Sequence, residues 1–329
     1  MNELTYLYHD GIPPFLLPFL DAEEMVRLKD VGMHCGMEYT SFPFYKDLKR
    51  YSRYTHSLNA ALLVYHFSQD EKLSLASLFH DIATPCFAHV IDFLKKDYVN
   101  QEATEEKTHE IIKSSTVIQD NLKKLGLHTE DVDDYHRYPI CDNDSPKLSS
   151  DRLEYTLSNL YNYGFASLKE LKVIYQDIKV SKNEFQEEEL CFESLSLAKR
   201  FTTLTLKNSH VYVTDEDRYG MEYLSRVLKK AMERNVISMK DLYLTESELM
   251  EKLRQDEETK KDFQSFENLH RVMKENDPTG PLSFHIPSKK RYIDPYVIGN
   301  GRLSSIDKDS KNEIQDFLDE SFDYYVKCI

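Results

Sequence analysis

"LFHDIATPCFAH" (residues 78–89) decides how this chain is read. An apolar run ends in His80 and Asp81, side by side, and His89 follows after a short Pro-containing loop. A buried His–Asp pair is costly unless both groups are satisfied. Two arrangements satisfy them: a hydrogen-bonded core pair or a shared metal ion. The dipeptide alone leaves both open.

The surrounding composition narrows the class. The chain has 329 residues, enough for one large or two modest domains. It is 40% hydrophobic and 30% charged, which fits a folded chain rather than a disordered one. A formal net charge of −15 and a pI near 5.3 argue against a general binder of nucleic acid or anionic membranes. They leave room for a small anionic substrate in a local basic or metal-bearing pocket. There is no apolar run of ~18 residues to suggest a membrane span. "MNELTYLYHDGIPPF" lacks the basic start and apolar core of a signal peptide. Five scattered cysteines without a Cys-x-x-Cys read as reduced thiols, so a cytoplasmic location is expected.

Patterning favours a mostly α fold with small β elements in the C-terminal part. Glycine is scarce, and Leu, Lys, Glu and Asp dominate. Helices are expected over 21–34, 54–68, 71–82, 106–126, 148–164, 217–235, 245–255 and 307–327. Ser149 or Ser150 opens the 148–164 helix and Gly164 closes it. The acidic, Pro-punctuated stretch 128–147 reads as loop with a short helix. Strand character is expected near 180, in "HVYVTDED" (210–217) and in "KKRYIDPYVIGNG" (289–301). A helical core over 1–165 and a helical extension with short strands over 166–329 follow as the domain division.

Three of these helices carry ionisable groups where they would meet: His56 on one, His80–Asp81 at the end of the next, and Asp151 at the start of a third. Two imidazoles and two carboxylates make a mixed nitrogen–oxygen shell for a divalent ion of the manganese, iron or zinc kind. Such an ion acidifies a bound water and neutralises phosphate oxygens. Taken singly, each residue has a plainer reading. His56 would be a satisfied core histidine, and Asp151 a helix-start acid. Arg53 would be a solvated charge, His109 an exposed helix residue beside Lys107 and Glu110, and Tyr155 core packing.

The order of the motifs changes that balance. "SRYTHSL" (52–58), "LASLFHDI" (75–82), "AH" (88–89), "KTHE" (107–110) and "SSDRLEY" (149–155) together resemble the HD-domain phosphohydrolases. Within them they resemble the branch that includes deoxynucleoside triphosphate triphosphohydrolases. The resemblance covers roughly residues 24–165 and continues more weakly beyond. It implies an HD-domain helical core and one divalent metal ion (Mn, Fe, Zn, Ni or Mg) on His56, His80, Asp81 and Asp151. It implies that Arg53 holds substrate phosphate, that His89 and Asp92 face the same cavity, and that His109 is a general acid or base. Arg152 and Tyr155 match positions that contact phosphate and sugar. A small phosphorylated, nucleotide-like substrate and a homo-oligomer are implied in the same way.

The chain also departs from that pattern. Ala83 replaces a glycine, and Thr84 replaces a histidine that helps catalysis in the triphosphohydrolases. Thr is no general base at neutral pH. Met33 stands where relatives read the base, and Ser158–Asn159 stand where relatives end in Arg-Asp beside the sugar. The expected function is therefore a metal-dependent phosphohydrolase cleaving a phosphoester or phosphoanhydride of a nucleotide-like substrate, a (d)NTP among the candidates. The alternatives are a catalytically weakened metal- or nucleotide-binding regulatory module, and a phosphodiesterase or nuclease; the acidic surface weighs against the last.

Overall fold

The computed structural model describes residues 3–96, 98 and 107–329. Its centre is the Arg53–Ser68 helix, in which an unbroken run from His56 to Val64 is buried. A helix apolar or small on every side belongs inside a core. Ser52 caps its start by accepting from the Thr55 amide. The Glu71–Phe79 helix, capped by Asp70, packs antiparallel beside it, and Ser74 Oγ donates to the Ala61 carbonyl at 2.8 Å across the pair. The Ser150–Asn162 helix crosses the same element; Ser149 is its cap, and Gly164 behind it has a φ of 72°.

The expected helix over 21–34 is shorter. It runs Glu23–Arg27, tightens into a 3-10 turn over Leu28–Asp30, and stops because Gly32 bridges to Ser52. Glu106, where the next expected helix began, lies outside the described residues. That helix is two, Thr108–Ser114 and Thr116–Lys124, divided where Ser115 turns to cap the second.

The C-terminal half departs more. "HVYVTDED" is not a strand. It is the turn between the Leu195–Val211 and Asp215–Glu233 helices. The first of these went unread in the sequence because Thr, Ser and Phe crowd it. Its buried positions Ala198, Phe201, Thr202, Leu204, Thr205, Asn208 and Ser209 nevertheless recur with helical period, and tertiary burial overrides their propensity. Of 289–301 only Tyr296, Val297 and Gly301 pair as strand, in a short hairpin that Arg302 completes. The expected helix over 307–327 stops at Asp319, and the aromatic tail beyond it becomes a strand.

The strands are β1 (Ile178–Lys182), β2 (Glu188–Phe192), β3 (Val272–Glu275), β4 (Ser283–His285), β5 (Tyr296–Val297), β6 (Gly301–Arg302) and β7 (Tyr325–Cys328). One sheet has the order β1-β2-β5-β6, with β2 and β5 parallel. The other is antiparallel, β3-β7-β4. The larger hydrophobic core draws on residues from Leu4 to Leu204 together with Ile293, Val297 and Leu303, so it is shared across residue 165. A second core joins Met37, Phe87 and Val90 to the Asp215–Glu233 helix and its neighbours.

The 78–89 segment is the seam between them: Ile82 lies in the first core and Phe87 in the second. The seam is pinned by Glu246, the fully buried first residue of the Glu246–Gln255 helix. Its carboxylate accepts from the backbone amides of Gly32 (3.0 Å) and Phe87 (3.1 Å) and from the Tyr39 hydroxyl (2.6 Å). Glu38 lies beside it with one buried carboxylate oxygen unpartnered. Burial and the Glu246 charge push Glu38 up to about 8 from an ordinary 4.5. A folded value above the unfolded one means the folded state binds more protons, so stability falls as pH rises through that window. The melting temperature of the wild type should therefore drop between pH 5 and pH 9, and Glu38→Gln should flatten the drop. Each kcal/mol relieved at pH 9 corresponds to roughly 2–4 °C. Parallel pH profiles for the two proteins in calorimetry would contradict this account.

Candidate metal centre

The Arg53–Ser68, Glu71–Phe79 and Ser150–Asn162 helices bring His56, His80 and Asp151 to one point. The two Nε2 atoms stand 3.0 Å apart, and each faces Asp151 Oδ1, at 3.0 Å from His56 and 3.5 Å from His80. Asp81 Oδ2 approaches from the other side, 3.7 Å from His56 Nε2 and 3.5 Å from His80 Nε2.

The far nitrogens fix the tautomers. His80 Nδ1 donates to the Ser77 carbonyl at 2.6 Å, and His56 Nδ1 donates to the Glu154 carboxylate at 2.5 Å. When neutral, both imidazoles therefore aim an Nε2 lone pair at the same point. Two facing lone pairs repel unless a cation lies between them. Two ligands at right angles on an ion about 2.1 Å away would stand about 3.0 Å apart, as these do. Burial pushes His56 down, but its hydrogen bonds to Asp151 and Glu154 outweigh this and push it up to about 10. Burial pushes Asp151 up, yet the histidines bring it down to about 2. The field at this point favours positive charge, and the donor set fits a divalent ion.

Asp81 has a second set of bonds. Arg53 Nη1 donates to its two oxygens at 3.0 and 2.9 Å, and Thr84 Oγ1 donates to Oδ1 at 2.7 Å. Thr84 thus holds Asp81 in place and faces it as a donor. Arg53 is 7% exposed, and its Nε has no partner.

Arg53, His56, His80, Asp81 and Asp151 line a cavity of about 1140 Å³, together with His89, Tyr155 and Arg152. His89 Nδ1 donates to the buried Asp92 at 2.9 Å, and burial keeps His89 below its ordinary value. Tyr155 stands edge-on to Tyr212. Arg152 is committed elsewhere: its guanidinium holds the Asn143 and Lys147 carbonyls and pairs with Asp142 at 3.0 Å. His109 is not brought to the cavity. It stands half-exposed near the start of its helix and pairs with Asp133 at 2.6 Å, so the expectation that it faces a scissile phosphate is not met.

Sequence reading missed several groups. Glu154 is fully buried and accepts from His56, Tyr51, Asn59 and Ser158. Its signal was the three-residue step from Asp151, one helical turn along the same face. His136, paired with Asp142 at 2.9 Å, also lines the cavity. So does the segment from Pro287 to Tyr292, where Lys289, Lys290 and Arg291 form a basic run in an acidic chain.

No family model matches the chain. It is 28% identical over 281 residues to the uncharacterized protein YdhJ of Bacillus subtilis, covering 84% of this chain and 83% of that protein. It is 24% identical over 280 residues to the metal-dependent phosphohydrolase cns2 of Cordyceps militaris, covering 78% of this chain and 75% of the relative. The second relative is named for metal-dependent phosphohydrolase activity. Neither name points to the triphosphohydrolase branch. Among the described residues no helix is long and apolar enough to cross a membrane.

Carboxylates behind metal-binding histidines orient the ring, and their loss typically weakens metal affinity by about 10–100-fold. Glu154→Gln should therefore weaken Mn²⁺ binding by that factor while the helical circular-dichroism signal persists. Unchanged affinity in a calorimetric titration would remove Glu154 from the centre.

Proposed function

We propose that this protein is a metal-dependent phosphohydrolase acting on a small, nucleotide-like phosphate substrate. The observation that carries the reading is the convergence of two imidazole lone pairs and the Asp151 carboxylate on one point in the wall of a large cavity, with Asp81 beside them. His56, His80 and Asp151 would hold the ion, with Asp81 as the fourth ligand. A bound divalent ion supplies neutralisation of phosphate charge and a lowered pKa for water.

The chain's own groups do the rest. Arg53 sits beside the cage with its Nε uncommitted, so its fork can turn to phosphate oxygens while Asp81 holds one end. His89 is oriented by Asp92, and its lowered value leaves it neutral, with Nε2 ready to take a proton near pH 7. Tyr155 walls the substrate. Lys289 and Arg291 add positive charge to the cavity lining. Thr84 supplies no proton chemistry, and His109, paired with Asp133 outside the cavity, is given no step.

The test is turnover by purified protein with Mn²⁺ on p-nitrophenyl phosphate and a nucleotide panel, with chelator as control. His89→Ala should lower turnover by about 10²–10⁴-fold with metal content unchanged. Asp81→Ala should lose metal and turnover together. Full activity in the chelated protein would overturn the reading. Thr84 in place of a histidine favours one rival, a binding module without catalysis. Stoichiometric metal and nucleotide binding with no turnover of any panel member would establish that rival instead.

A further inference from the structure

One limb of the cavity is walled by His34, Tyr45, Tyr163 and Tyr212, with Met33 and Cys35 also in the lining. These walls are largely aromatic, and Arg218 also lines the cavity. His34 is held down to about 4 by burial and by the Arg53 charge, so it is uncharged at neutral pH. Its ring lies 5.7 Å from Tyr163 and 6.2 Å from Tyr45. Into this aromatic limb projects one carboxylate, Asp217, the third residue of the Asp215–Glu233 helix.

Asp217 is half satisfied. Its Oδ1 accepts from the Tyr45 hydroxyl at 2.9 Å. Its Oδ2 has no hydrogen bond among the described residues. Asn159, in the same limb, has its amide committed at one end only, to the Tyr212 hydroxyl at 2.8 Å. Burial pushes the Asp217 carboxyl up to about 7, the mark of an anion short of donors. A ligand that covers such an oxygen must bring a donor of its own or leave a buried acceptor unmet.

We infer that Asp217 is a specificity-determining residue: its free oxygen accepts an N–H from an amino-bearing heteroaromatic ring stacked in the limb, while the phosphate of the same molecule lies at the metal cage. This rests on the reading under Proposed function and narrows its substrate to amino-substituted nucleobases. The limb's aromatic walls favour a ring over a sugar hydroxyl as the source of the donor.

The test compares kcat/KM, with Mn²⁺, for three ligands: AMP, 2-aminopurine riboside 5′-monophosphate and unsubstituted purine riboside 5′-monophosphate. In the wild type at least one amino isomer should exceed the unsubstituted ring by about 10-fold or more, mainly through KM. Asp217→Asn keeps an acceptor for Tyr45 but turns a donor into the limb, so the advantage should fall to about one. Asp217→Ala, which needs no partner, should lose it as well and covers the case in which the Asn variant does not fold. An amino advantage that survives in either variant overturns the inference. So does a wild type that turns over all three ligands with the same kcat/KM. Both results leave the phosphohydrolase reading intact. Failure of the wild type to turn over any of the three while hydrolysing other phosphates also sinks the inference alone, whereas no turnover of any phosphate sinks both.

Discussion

Glu154 is the group on which the site depends. It is a carboxylate with no exposure, and a buried charge of that kind persists only if hydrogen bonds replace water. Four side chains do so: Tyr51, His56, Asn59 and Ser158. They come from the segment before the central helix, from that helix and from the one crossing it. The same bonds that satisfy Glu154 also lock three pieces of chain together. They fix His56 with its Nδ1 proton pointing away from the centre, so that Nε2 points in. Around that centre, Asp81, Asp151 and Glu154 bring three negative charges and Arg53 brings one positive. With neutral imidazoles the local balance is two negative, which suits a divalent cation.

The loop that carries His80 and Asp81 is held as firmly, from the other side. Phe87 and Ala88 both have positive φ, at 61° and 45°, an uncommon and strained state for residues with a side chain. The Glu246 bond to the Phe87 amide and the placement of Phe87 in the second core are what hold it there. Ala83 is not among the positive-φ residues, so the backbone makes no demand for glycine at that point. Thr84 likewise fits its place: a hydroxyl at hydrogen-bond distance from Asp81 anchors the carboxylate that the adjacent Arg53 also holds. The departures in "HDIATPCFAH" leave the placement of His80 and Asp81 intact.

What the sequence reveals about this site follows the same physics. His56 and the His80–Asp81 pair are conspicuous because they interrupt helices that are otherwise apolar or small, and Asp151 because Ser149 marks a helix start just before it. The meeting of those four side chains was readable for that reason. His109 was not: a histidine beside Lys107 and Glu110 has the look of a surface residue, and resemblance alone drew it inward. Asp133 takes its ring instead. The Leu195–Val211 helix was hidden by its Thr and Ser content, whose small side chains fit a crowded core that single-residue propensity does not see. "KKRYIDPYV" alternates like a strand, yet the Lys290 ammonium is drawn to the carbonyls of Leu318 and Glu320 at the end of the last long helix, which bends this stretch over the cavity. That contact joins residues far apart in sequence and leaves no local trace.

The charge distribution gives the cavity a direction. The protein as a whole is strongly acidic, so an anionic substrate gains nothing from the distant field. Its attraction must be local, within about 8 Å at physiological salt. Arg53 and the Lys289–Arg291 stretch line the cavity and, with an ion at the cage on the proposed reading, would supply that attraction. At the other end the limb offers aromatic faces, a neutral histidine and the unmet carboxylate of Asp217. A neutral ring with a donor is welcome only in the limb. On the proposed reading, the two ends would orient a phosphorylated heterocycle one way round, before any reaction step begins.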